Sequence, residues 1–200
     1  MDERDAPDAM SLSDVRHRTA NIFQLLTTLG RLRAQRSEDG EARRQVEWLL
    51  DAIGALGVLQ HRLLRPEGGD FALFLSDMRP LWERRVGGRA IAIEVKADPV
   101  VLQEQTAAAM AMIVQELVVN AIGHGFPDGR AGVVRVEVIR LEEGRARLSV
   151  SDDGVGYDPA AVDPRRLGLW LVAGLADQVK GVLTTTREAG VSARLDFAAV

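Results

Sequence analysis

Residues 132–152 constrain the fold most sharply. GVVRVEVIRL and RARLSVSD each alternate apolar and polar side chains and are separated by a Glu-Gly turn, which predicts an antiparallel hairpin. Upstream, a helix is expected within Phe71 to Arg85, then a strand in AIAIEVKA after Gly87-Gly88, then a long apolar helix from about Val100 to Gly123. Downstream come a loop with two prolines, a helix around Leu167 to Val179, and strands near Val182 to Arg187 and Ser192 to Phe197. Helices and a mixed sheet in this order predict an α/β sandwich.

The N-terminal part has a different period. Residues 1–10, rich in Asp, Glu and Pro, are expected to be disordered. A helix capped by Ser11 or Ser13 is predicted to run to about Arg36 with Val15, Ile22, Leu26 and Leu29 on one stripe, until SEDGE breaks it. A second, from about Ala42 to Leu64, carries Val46, Leu49, Leu50, Ile53, Leu56 and Leu59. The short turn between them implies a helical hairpin, which a second copy would complete as a four-helix bundle. RPEGGD, Arg65 to Asp70, reads as a linker. The expectation is an α+β chain with a disordered segment 1–10, a hairpin over 11–66 and an α/β sandwich over 67–200.

Composition narrows the chemistry. A net charge of −4 gives no basic field for nucleic acid, and 4% aromatic residues give little to stack bases on. With no cysteine, disulfides and thiolate zinc sites are excluded and a cytoplasmic setting is expected. The acidic N-terminus is unlike a signal peptide, and no apolar run reads as a membrane span.

Only His17, His61 and His124 offer imidazole. At about 100° per residue His17 points away from the apolar stripe and shares a polar face with Asn21 and Gln24. An exposed histidine on an amphipathic helix needs no function, yet a neutral imidazole with solvent access is a competent nucleophile near neutral pH. His61, near the end of the second helix beside Arg62, suits a helix C-terminus.

Three further segments carry candidate chemistry. In VQELVVNAIGHGF, Glu116, Asn120 and His124 recur at i, i+4 and i+8 on one side of a helix. They form either a solvated face or a carboxylate and amide able to hold hydrated Mg²⁺ with its phosphates. In SVSDDGVGYDP, a strand ends in Asp152-Asp153 followed by Gly154 and Gly156. This is either a simple turn or a carboxylate able to read an exocyclic amino group, with glycines that admit a flat ligand. In RRLGLWLVAGLADQ, Gly168 stands at a helix start behind Arg165 and Arg166, serving either packing or phosphate binding by free amides.

Taken together, these segments resemble the sensor histidine kinases, whose ATP-binding domain shares a Bergerat-type, GHKL fold with gyrase and MutL. The resemblance runs from about residue 11 to the end. ELVVNAIGHGFPDGR looks like the N box, DDGVG like the first glycine box and LGLWLV like the second, while the last glycine box reads Ala189-Gly190-Val191. HRTAN resembles the His-Arg-x-x-Asn signature of the branch that includes the HWE kinases. The resemblance implies that His17 is the phospho-acceptor, with Asn21 beside it. It implies that Glu116 and Asn120 serve the magnesium triphosphate, Glu116 being catalytic as well, that His124 belongs with Asn120 to the cofactor-binding residues, that Asp152 contacts adenine, and that Gly154, Gly156 and Gly168 shape the pocket.

The expected activity is a soluble, dimeric histidine kinase of a two-component system, passing phosphate from His17 to a response-regulator receiver domain and taking its signal from a separate sensor. The alternative is a histidine phosphotransferase of a phosphorelay, with a C-terminal domain that no longer binds nucleotide. A third reading, an anti-sigma-type regulator, would need no histidine of its own.

Overall fold

The computed structural model describes residues 22, 25–30, 32, 34, 35, 39–65, 67–156, 167–187 and 189–199. The chain divides into two compact units after Gly57. In the first, residues 25–30 are helical (α1), and α2 spans Gly40–Leu63, running past the division. It starts two residues earlier than expected because Asp39 caps it, accepting from the Glu41 amide at 2.8 Å. Exposed pairs Arg44–Glu41 (2.6 Å) and Arg43–Glu47 (3.0 Å) follow at helical spacing, where solvent screens them. Gly30 lies close against Leu50, where an added β-carbon would come 3.1 Å from Cγ. Ile22, Leu26 and Leu29 are exposed, as are Leu25, Leu32 and Leu49.

The second unit holds helices α3 (Phe71–Val86), α4 (Glu104–His124) and α5 (Leu167–Gln178), with strands β1 (Ile91–Ala97), β2 (Gly132–Arg140), β3 (Arg145–Asp152), β4 (Val182–Arg187) and β5 (Val191–Ala198). The sheet order is β1-β2-β3-β5-β4, parallel only between β1 and β2. The predicted hairpin is β2–β3, with Ala146 opposite Arg140. Its turn places both Glu143 (φ 58°) and Gly144 (φ 68°) in the left-handed region, the geometry that matches strand twist.

One face of the sheet is apolar and the other polar. Ile93, Val136, Leu148 and Leu195 are buried toward the helices, facing Phe74, Met110, Ile113 and Val118 of the same core. The open face carries the ion pairs Arg135–Glu94 and Arg147–Asp196, the latter through both guanidinium and carboxylate branches. Each fully buried large side chain contributes about 1.5–3 kcal/mol, which favours one register of every strand.

Two expectations need correction. The apolar helix begins at Glu104 and not at Val100, because residues 100–102 join the backbone at the start of α3: Phe71 N–H donates to Val100 O (2.8 Å) and Leu102 N–H to Gly69 O (2.9 Å). Asp70 therefore serves more than a linker, capping α3 at Ala72 N–H (2.9 Å) and accepting from Val100 N–H (3.2 Å). In addition, α4 is by length and composition apolar enough to cross a membrane. Its apolar side chains, Met110, Ile113, Val114, Val118 and Ile122 among them, are buried in the protein core.

Candidate functional site

The row Glu116, Asn120, His124 lies on α4 as the spacing predicts, with burial falling along it. Glu116 is 7% exposed, Asn120 half-buried and His124 exposed. Asn120 Nδ2 donates to Glu116 Oε1 at 3.0 Å, which leaves the Asn120 amide oxygen to accept or ligate. The opposite side of the same turn is structural: Gln115 Oε1 accepts from Trp82 Nε1–H at 2.8 Å in the core.

The start of α5 meets this row. Gly168 sits so close to Glu116 that an added β-carbon would overlap its carboxylate and come 3.2 Å from its Cγ. A carboxylate beside the first turn of a helix is favoured by the unpaired amides and the dipole there. Glycine at 168 is thus explained by close approach rather than by backbone conformation.

Asp152 ends β3, Asp153 follows it, and the two separate in role. Asp153 Oδ1 accepts from Val133 N–H at 2.7 Å and ties the end of β3 to the start of β2. Asp152 falls on the helix-facing side, half-buried, and accepts from Gly154 N–H at 2.9 Å. Burial pushes its carboxyl above the usual carboxylate range, with Asp153 adding to the rise, while the amides of Gly154 and Val191 oppose it. Beyond those backbone amides, a ligand N–H would offset the desolvation that raises its pKa.

Glycine backbone closes around this group. An added β-carbon would come 2.7 Å from Asp152 Oδ1 at Gly154, 3.1 Å from it at Gly125 and 3.0 Å from it at Gly190, where φ is 140°. Gly156 (φ 66°) leaves room for the Arg187 guanidinium, whose Nε would lie 3.0 Å from a β-carbon added there. Gly125 and Gly190 were not singled out as site residues. Gly190, in the last glycine box, lies 38 positions from Asp152, and the antiparallel placement of β5 beside β3 brings the two together.

The structure therefore brings Glu116, Asn120 and Gly168 together, and groups Asp152 with Gly154. His17, Asn21 and Gln24, and the segment Tyr157 to Arg166, lie outside the described residues. His61, in the last turn of α2, is exposed. Carboxylate and amide oxygens on α4 fit a hydrated Mg²⁺, whose ligands are oxygens, and among the described residues no group of three or more His, Cys, Asp or Glu side chains could hold an ion unaided.

Known proteins share this architecture. The chain is 26% identical to blue-light-activated histidine kinase 2 of Erythrobacter litoralis over an alignment of 206 positions, gaps included, that covers 94% of this chain and 58% of that relative's length. The histidine kinase domain of the Erythrobacter litoralis EL346 blue-light-activated histidine kinase superposes with a TM-score of 0.71 at 24% identity, covering 94% of this chain and 90% of that one. Full-length ShkA, solved in complex with AMPPNP, superposes with a TM-score of 0.57 at 19% identity, covering 94% and 46% of the two chains. Residues 84–195, more than half of the chain, match the histidine kinase-like ATPase domain, and the chain belongs to that family.

Proposed function

We propose that this chain is a protein-histidine kinase that binds ATP with Mg²⁺ and phosphorylates its own His17. One observation carries the reading: Asp152, its pKa raised by burial, stands at the end of β3 among the backbones of Gly125, Gly154 and Gly190. A carboxylate so placed suits the amino group of adenine. Glu116 and Asn120 then face the triphosphate, with Mg²⁺ supplying charge neutralisation, and His124 extends the row toward solvent. The AMPPNP bound by ShkA supports an adenine nucleotide as ligand.

In the transfer, an imidazole nitrogen of His17 forms a bond to the γ-phosphorus, the bond to the bridging oxygen breaks, ADP leaves and the imidazole releases its proton. Asn21 orients the ring. Positioning and electrostatics dominate such a step. The phosphoryl group passes on to a receiver-domain aspartate, as in two-component signalling. The N-terminal hairpin forms a four-helix bundle with a second copy, a role supported by the exposure of Ile22, Leu26 and Leu29. The setting is cytoplasmic, and the signal comes from a sensor.

Incubation with γ-labelled ATP and Mg²⁺ tests this. Acid-labile label is expected on the full chain and is lost in His17→Gln with an unchanged circular dichroism spectrum. Label that survives the substitution overturns the His17 assignment. No label from ATP, with label accepted from a phosphorylated receiver domain, replaces the kinase with a phosphotransferase.

A further inference from the structure

Arg89 lies in the turn between α3 and β1 and is not one of the residues assigned to the site. Its guanidinium donates from Nε to Val86 O at 3.1 Å and from Nη2 to Arg85 O at 3.5 Å, both in the last turn of α3. From Nη1 it donates to Ile122 O at 2.9 Å. Because α4 ends at His124, the Ile122 carbonyl has no amide ahead of it to accept from within the helix. One cation thus closes the C-terminal ends of two helices, where carbonyls are unpaired and the dipoles are negative. The planar fork of arginine can span both; the point charge of lysine reaches one.

The carbonyl it holds lies between Asn120 and His124. Three residues on, Gly125 O accepts from Val155 N–H at 2.9 Å, and the Gly125 α-carbon abuts Asp152. The last turn of α4 is therefore fixed from two directions, by Arg89 at Ile122 and by the backbone following Asp152 at Gly125. Released on the Arg89 side, that turn would keep its intrahelical bonds, the Gly125 N–H bond to Ala121 O (2.8 Å) and the tie to Val155, but it would lose its side-chain anchor to the end of α3, and the site relies on it to place the Asn120 amide relative to Asp152.

We propose that Arg89 is a positioning residue of the nucleotide site, acting through the Ile122 carbonyl on the Asn120–Gly125 turn. This rests on the ATP-binding reading above, so its test includes a readout that needs no nucleotide. Arg89→Ala and Arg89→Lys are made in the full chain. Calorimetric ATP–Mg²⁺ binding is measured well below the melting transition, and amide hydrogen exchange is followed without ligand.

Binding about tenfold weaker in Arg89→Ala and intermediate in Arg89→Lys is expected, the scale of one lost charge-assisted hydrogen bond. Exchange should quicken over residues 120–126 while the middle of α4 keeps its protection. A lower melting temperature with wild-type ATP affinity overturns the proposal, as does exchange that rises evenly along α4. Should wild-type protein fail to bind ATP, the functional reading falls, and the exchange pattern alone decides whether Arg89 holds the turn. If Arg89→Ala does not fold, Arg89→Lys carries both measurements.

Discussion

The backbone of Gly168, at the start of α5, is pressed against the carboxylate of Glu116, a buried residue in the middle of α4. The contact joins two segments 52 positions apart and aligns the first turn of α5 with the acidic row of α4. Any side chain at 168 has to displace Glu116 or tilt α5.

Gly168→Ala is therefore expected to cost about 1–3 kcal/mol, the range for overpacking a filled site. Against a Glu116→Ala background the same change should cost less than about 1 kcal/mol, since the atoms it strikes are gone. Urea titrations of the four proteins check the coupling. Strictly additive effects would show that α5 starts elsewhere.

The raised pKa of Asp152 sets a sign for pH dependence. Its folded-state pKa lies above the ordinary aspartate value of 3.8, so the folded protein binds more protons than the unfolded chain between the two, and stability falls as pH rises through that window. Asp152→Asn removes the ionised group, and the ligand-free variant should melt higher than wild type at neutral pH, the difference vanishing below about pH 3.8. ATP affinity has the opposite trend. The ionised carboxylate is the stronger acceptor for the adenine amino group, so wild-type binding should strengthen as pH rises through the raised pKa, and Asp152→Asn should weaken binding above that pKa and approach wild type below it.

Asp153 should affect stability. Removing its bond to Val133 N–H in Asp153→Ala is expected to destabilise by about 1–2 kcal/mol, whereas Asp153→Asn keeps an accepting oxygen and should lose less than half of that. Thermal melts of the two variants decide, and equal losses would mean that charge, not the hydrogen bond, matters there.

Trp82→Phe keeps the ring in the core but leaves the Gln115 carbonyl oxygen without its donor. A loss of about 1–3 kcal/mol is expected, the cost of an unsatisfied buried acceptor. Trp82→Phe with Gln115→Leu should recover part of it, because both polar partners are then replaced by apolar groups. Denaturation of single and double variants measures the recovery.

Much of this was legible along the chain. Alternation located β1, β2 and β3 because each has one face in the core and one in water, and the Glu143-Gly144 pair marked the turn that joins two of them. The i, i+4, i+8 spacing placed Glu116, Asn120 and His124 on one side of α4 without any tertiary information, since helical geometry alone decides it. The start of α4 departs from the expected Val100 because its boundary is set by backbone pairing between residues 69–71 and 100–102, which leaves no local signal.

By itself the sequence determined the elements, their faces and the candidate acidic and amide groups, because period, capping and turn chemistry act over a few neighbouring residues. Only the tertiary structure decided that Asp152 is the buried carboxylate and Asp153 the strand tie, that Gly125 and Gly190 close on Asp152, and that Gly168 meets Glu116. Those roles depend on burial and on close approach between segments distant in the chain, and both arise only when the sheet and helices pack.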